Sequence, residues 1–141
     1  LKRLIYIIKH YNINVGLLKI SYNEYLMDAT LDIHQHNPQL TTTKEAIQEY
    51  GEVRTPSALV DKMLDLFPKT IFSNPIITWL DVGAGTGQFS IELFKRLDEC
   101  LSGILPEKAI RHHHILTKMM YMVEIQPQHI ATLKTIFGEN A

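Results

Sequence analysis

The sequence predicts an α/β fold built on parallel strands, and two stretches carry that prediction. In the first, Ile76-Ile77-Thr78-Trp79-Leu80 is an apolar run rich in β-branched and aromatic residues, the composition of a buried strand, and Asp81 closes it. Val82-Gly83-Ala84-Gly85-Thr86-Gly87 follows, with glycines at alternate positions. Phe89, Leu93, Phe94 and Leu97 then recur at roughly helical spacing, with Ile91 less well placed among them. Strand, glycine turn and helix in that order open a nucleotide-binding α/β fold. In the second stretch, Met119 to Ile125 is another strand of the buried type, with Glu124 near its C-terminal end. Pro127 begins the helix after it. Ile130, Leu133, Ile136 and Phe137 share a face of that helix, and Gly138 is placed to cap it.

At 141 residues the chain is the size of one domain. Its 14 basic and 15 acidic residues nearly cancel, so net charge gives no general argument for nucleic-acid binding. Cys100 is the single cysteine, which excludes an internal disulfide and fits a reducing compartment. No apolar run approaches the length of a transmembrane helix and no signal-peptide pattern is evident, so a soluble globular protein is expected. Leu in first position reads as a fragment or a trimmed chain.

From the N-terminus, Leu1, Leu4, Ile5 and Ile8 lie at helical spacing. Leu1 to Asn23 carries four Lys or Arg residues and no acid, a bias that reads as the solvated face of an amphipathic helix or as a backbone contact to nucleic acid. Asn12, Asn14 and Gly16 predict a turn, Leu17 to Leu31 a second helix, and residues 32 to 43 a loop. His34 and His36 in that loop lack further ligands at metal-site spacing. Thr43 caps a short helix over Ala46, Ile47 and Tyr50, which Gly51 ends. Thr55-Pro56 is an extended entry into a helix carrying Leu59, Val60, Met63, Leu64 and Phe67, and Pro68 terminates it. Phe67 to Pro75 reads as a connection and Cys100 to Glu107 as a loop. Glu107 to Lys118 reads as an exposed helix, whose consecutive His112, His113 and His114 point in different directions and cannot readily share one metal.

The chemistry of the glycine turn narrows its ligand. A dinucleotide fingerprint reads G-x-G-x-x-G, but Gln88 occupies the place of its third glycine. A phosphate loop requires G-K-[ST], and no Lys follows these glycines. Asp81 just before the turn would repel an anion and suits a ligand with a cationic group. Ligands of open α/β sheets bind at the C-terminal ends of the strands, so parallel neighbouring strands would bring Asp81, the glycines and Glu124 to one crevice. A carboxylate there can accept two hydrogen bonds from a ribose diol. The interval from Gly87 to Glu124 exceeds the usual ~20 residues, because of the extra helix around Glu107.

The pattern D-x-G-x-G-x-G resembles the cofactor motif of S-adenosylmethionine-dependent methyltransferases. With its surroundings, the chain from Tyr50 to about Phe137 resembles the amino-terminal half of an adenine-specific DNA methyltransferase of the restriction–modification type. Gly51-Glu52-Val53-Arg54-Thr55-Pro56 and the helix after it are similar to that family's G-x-x-[FY]-T-P segment, with Arg54 where an aromatic residue is common. Trp79 to Phe89 looks like its glycine motif, and His112 to Lys134 like its second-strand motif. The resemblance implies an incomplete Rossmann-like fold, with an N-terminal helical segment over residues 1–45 and a cofactor-binding part over residues 46–141. It implies S-adenosylmethionine as cofactor. Thr55 and Pro56 would border its methionine carboxylate. Asp81, Gly83, Ala84, Gly85 and Gly87 would wrap its methionine and sulfonium, Glu124 would take the ribose hydroxyls, and Ile125 would flank the adenine. It also implies DNA as acceptor, a cytoplasmic location and no membrane partner.

The family's catalytic motif is Asn, Asp or Ser followed by Pro-Pro and an aromatic, which holds a flipped-out adenine. The Asn-Pro pairs here, Asn37-Pro38-Gln39 and Asn74-Pro75-Ile76, lack the second Pro and the aromatic. The expectation is a cofactor-binding portion, inactive alone, with DNA contacts made elsewhere. Two strands alone would leave a sheet edge open to self-association. The rival expectations are a methyltransferase acting on RNA, protein or a small molecule, and a non-catalytic interaction module that keeps the fold.

Overall fold

The computed structural model describes residues 16–18, 33, 44 and 54–138. The helices expected near the N-terminus and over Thr43 to Tyr50, and the loop carrying His34 and His36, lie largely outside these residues.

The two sequence stretches form the expected neighbours. β2 (Trp79–Val82) pairs in parallel with β3 (Met120–Glu124), in a register that sets Asp81 beside Met122 and Val82 beside Val123. A third strand, β1 (Gly16–Leu18), pairs antiparallel with the other edge of β3, giving the order β1-β3-β2. Gly16 to Leu18 therefore extends as a strand, where a turn leading into a helix was expected. Three residues with no alternation of polarity leave no strand signal in the sequence.

β2 also differs from expectation. It starts at Trp79, not Ile76, and Asp81 lies inside it. Its residues alternate between half-buried and exposed, with Leu80 at 42% and Val82 at 69% exposure, so only one face is covered. On that face Trp79 stacks on Phe72, with centroids 5.1 Å apart, and meets Phe67 edge-on.

α1 (Ser57–Leu64) ends before Phe67, and Pro68 opens a further short helix, α2 (Lys69–Phe72), inside the expected connection. Proline both stops one helix and suits the first turn of another, because its fixed φ fits there and its missing N–H is not needed. α1 sends Val60 and Leu64 into the core.

α3 (Gln88–Leu101) is the main helix of the core. Ile91, Leu93, Phe94, Leu97 and Leu101 are all buried, so Ile91 fits the buried face better than its spacing suggests. Each such side chain contributes about 1.5–3 kcal/mol by leaving water. Cys100 is half-buried near its end.

α4 (Lys108–His114) is shorter than expected, and the chain continues as a π-helical turn, Ile115–Met119, before β3. His112 is buried and His113 and His114 half-buried, which corrects the expectation of an exposed helix. The reason is the ion pair beneath it. Arg111 Nε donates to Asp98 Oδ1 of α3 at 2.5 Å, and His112 Nε2 lies 3.0 Å from the same oxygen. Arg111 Nη1 also donates to the carbonyls of Leu105 and Pro106, tying down the α3–α4 loop. The partner that pulls the histidine inward lies 14 residues back, beyond the reach of helical periodicity.

α5 (Pro127–Phe137) buries Leu133, Ile136 and Phe137, and Gly138 caps it with φ 110°. Among the described residues no helix is long and apolar enough to cross a membrane.

Candidate cofactor site at the glycine turn

The end of β3 organises the glycine turn. The Gly83 and Ala84 N–H groups both donate to the Val123 carbonyl, at 2.8 and 3.0 Å. The Gly85 N–H donates to Glu124 Oε2 at 2.6 Å. The Gly87 N–H turns back to the Ala84 carbonyl at 2.8 Å, and Gly87 then caps α3. Three consecutive amides of the turn are thus held by two consecutive residues of the neighbouring strand.

The three glycines of the turn have positive φ, yet they do different work. Among the described residues, Gly83 (φ 79°) and Gly85 (φ 54°) have no atom within 4 Å of where a Cβ would stand. A glycine backbone bare of neighbours in this way lets a ligand approach the chain closely. At Gly87 (φ 88°) a Cβ would come within 2.9 Å of Leu133 Cδ2 and 3.2 Å of Phe137 Cε2. Gly87 lets α5 pack against the start of α3.

Two carboxylates flank the open glycines. Asp81 Oδ2 accepts the Ser90 hydroxyl at 2.7 Å. Burial pushes the Asp81 carboxyl above the ordinary carboxylate range. The Ser90 hydrogen bond pulls it partly back, and the Glu124 charge pushes it further up. Glu124 is 5% exposed. Besides Gly85 it accepts the N–H groups of Ile125 and Gln126 on Oε1, at 2.7 and 2.8 Å. His129 Nδ1 lies 3.9 Å from Oε2. Ile125, the next residue, is 56% exposed.

Asp81, Gly83, Ala84, Gly85 and Glu124 therefore meet at one end of the parallel pair, with Ile125 adjoining. Ala84 is buried and serves through its backbone. Thr55 and Pro56 stand at the entry of α1, where the Pro56 carbonyl accepts the Leu59 and Val60 N–H groups. Among the described residues they share no hydrogen bond with the turn, and reach it through α1 packed on α3. Arg96 of α3 supports that packing through Asp65 at 2.6 Å.

Ser90 and His129 were not singled out from sequence. Both stand in apolar stripes, Ser90 with Phe94 and Leu97, His129 with Leu133 and Ile136. A polar residue at a buried helical position was the available signal. Among the described residues no group of three or more His, Cys, Asp or Glu is placed to hold a metal.

Parallel strands, a glycine turn of positive φ and two acids are thus gathered at one end of the sheet. Over 75 residues the chain is 40% identical to a protein of Mycoplasma pneumoniae described as an uncharacterized adenine-specific methylase. The match takes in 51% of this chain and 18% of that protein, so the chain spans less than a fifth of the relative's length. No family model and no solved structure matches the chain.

Proposed function

We propose that this chain is the S-adenosylmethionine-binding portion of a Rossmann-like methyltransferase that methylates adenine in DNA. The observation that carries the reading is the pairing of Asp81 and Glu124 across Gly83 and Gly85, at the C-terminal ends of adjacent parallel strands. The residues fit the cofactor in charge and in room. Asp81 is an under-stabilised carboxylate beside bare backbone, which a cationic sulfonium would relieve. Glu124 is a buried acceptor beside the turn, where the resemblance would put the ribose, and exposed Ile125 offers an apolar surface to a base.

Bound S-adenosylmethionine supplies a methyl group already activated by its sulfonium. This chain's residues bind and orient it, and placing donor against acceptor is the protein's main contribution to such a transfer. Adenine as acceptor is supported by the relative's description, and DNA of the restriction–modification kind by the Thr55-Pro56 segment. No Asn-Pro-Pro-aromatic motif of the kind that would hold the acceptor base stands in this sequence. DNA is the proposed partner, the cytoplasm the proposed location, and no membrane partner is proposed.

Equilibrium dialysis with labelled S-adenosylmethionine tests the assignment. The wild-type chain is expected to retain ligand, and Asp81→Asn and Glu124→Gln to lose about tenfold or more in affinity, as for a lost charge-assisted contact. Unchanged affinity in both variants would remove the site from these residues.

A further inference from the structure

We propose that the Gly85–Glu124 hydrogen bond is a latch that opens for a vicinal diol. A ligand presenting both ribose hydroxyls to Glu124 displaces the Gly85 N–H and frees the glycine turn, whereas a 2′-deoxy ligand leaves it closed. The proposal rests on the cofactor reading above and adds selection by the sugar, coupled to motion of the turn.

The argument is a count of acceptor positions. An ionised carboxylate offers about four lone-pair positions. On Glu124, Oε1 takes the Ile125 and Gln126 N–H groups, and Oε2 takes that of Gly85. Among the described residues one position is left, on Oε2, with His129 Nδ1 3.9 Å from that oxygen. A diol held by both hydroxyls needs two, so one backbone donor has to leave.

The donors are not equally free to go. Ile125 and Gln126 are the next two residues in the chain, and the Gln126 carbonyl anchors the start of α5 through the His129 and Ile130 N–H groups. Chain connectivity keeps both amides at the carboxylate. Gly85 lies 39 residues away in sequence. Gly83 and Gly85 allow the turn to re-form its backbone, and among the described residues no atom stands within 4 Å on the side where their Cβ atoms would be. Gly85 is therefore the donor that yields. A single hydroxyl needs only the remaining position and leaves the latch in place.

Amide hydrogen exchange at Gly85, read by NMR on the full chain, tests this. Saturating adenosine and S-adenosylmethionine are expected to speed exchange at Gly85 by about tenfold or more, and 2′-deoxyadenosine to leave it unchanged. Without ligand, Glu124→Gln is expected to speed it as well, and an unchanged rate in that variant overturns the latch. Equal effects of the two nucleosides, or a Gly85 amide still protected in the adenosine complex, overturn the latch and leave the methyl-donor reading standing if S-adenosylmethionine binds. Release by adenosine with no binding of S-adenosylmethionine supports the latch and overturns the methyl-donor reading. Failure of all three ligands to bind overturns both.

Discussion

Asp81 holds its charge in a place that resists it. Burial, reinforced by Glu124, raises its carboxyl above its ordinary 3.8 against the pull of Ser90. A raised folded value means that Asp81 contributes stability below the unfolded value, and that this is lost as pH rises through the folded one. At neutral pH the ionised group therefore weakens the ligand-free chain, and a cation beside it would recover that loss. Asp81→Asn is expected to raise the thermal midpoint of the free chain at pH 7 and to weaken S-adenosylmethionine binding. Calorimetry across pH should show wild-type affinity rising through the carboxylate range and then levelling, with a flatter profile in the variant. The glycines separate by the same logic. Gly87→Ala should cost about 1–2 kcal/mol from its left-handed backbone, with further crowding against Leu133, measured by denaturant unfolding. Gly83→Ala carries only the backbone strain but fills the ligand's side of the turn, so binding should suffer more than stability. Asp81 and the glycines stand out in the sequence because their spacing is local, and Glu124 because it closes a strand-like apolar run. The separate role of Gly87 was not, since what it faces comes from α5.

The elements show the same division. The α3 and α5 stripes were readable because burial on one face imposes its period on the sequence. The character of α4 was not readable, because Arg111 and His112 are drawn inward by Asp98 on another helix. Breaking that buried pair with Arg111→Ala should cost about 3–5 kcal/mol, read as a lower denaturant midpoint. Burial lowers the His112 value from 6.5 despite the opposing pull of Asp98. The unfolded chain then binds the proton first, so stability is fully present above about pH 6.5 and falls as pH drops below it. Thermal unfolding between pH 7.5 and 5.5 should show this slope in the wild-type chain and a smaller one in His112→Gln.

At the scale of the molecule, the parallel pair and its crossover through α3 and α4 followed from two strand runs separated by helical ones. The antiparallel β1 did not, because a three-residue strand is chosen by its partner and not by its own pattern. The apolar run that reads as a buried strand also proves half exposed. Leu80 and Val82 share the open face of β2, Ile76 just before the strand is 83% exposed, and among the described residues no strand pairs with the free edge of β2. A bare edge with apolar neighbours invites association. Sedimentation should show self-association that grows with concentration and declines in a Leu80→Lys, Val82→Lys double variant. Equal association in that variant would place the contact elsewhere.

The central claim is that the crevice between Asp81 and Glu124 receives S-adenosylmethionine. Isothermal titration of the chain with S-adenosylmethionine, on a sample shown by circular dichroism to unfold cooperatively, tests it most directly. Saturable one-to-one binding, weakened by Asp81→Asn, is the predicted result. No heat of binding from the folded chain would contradict it.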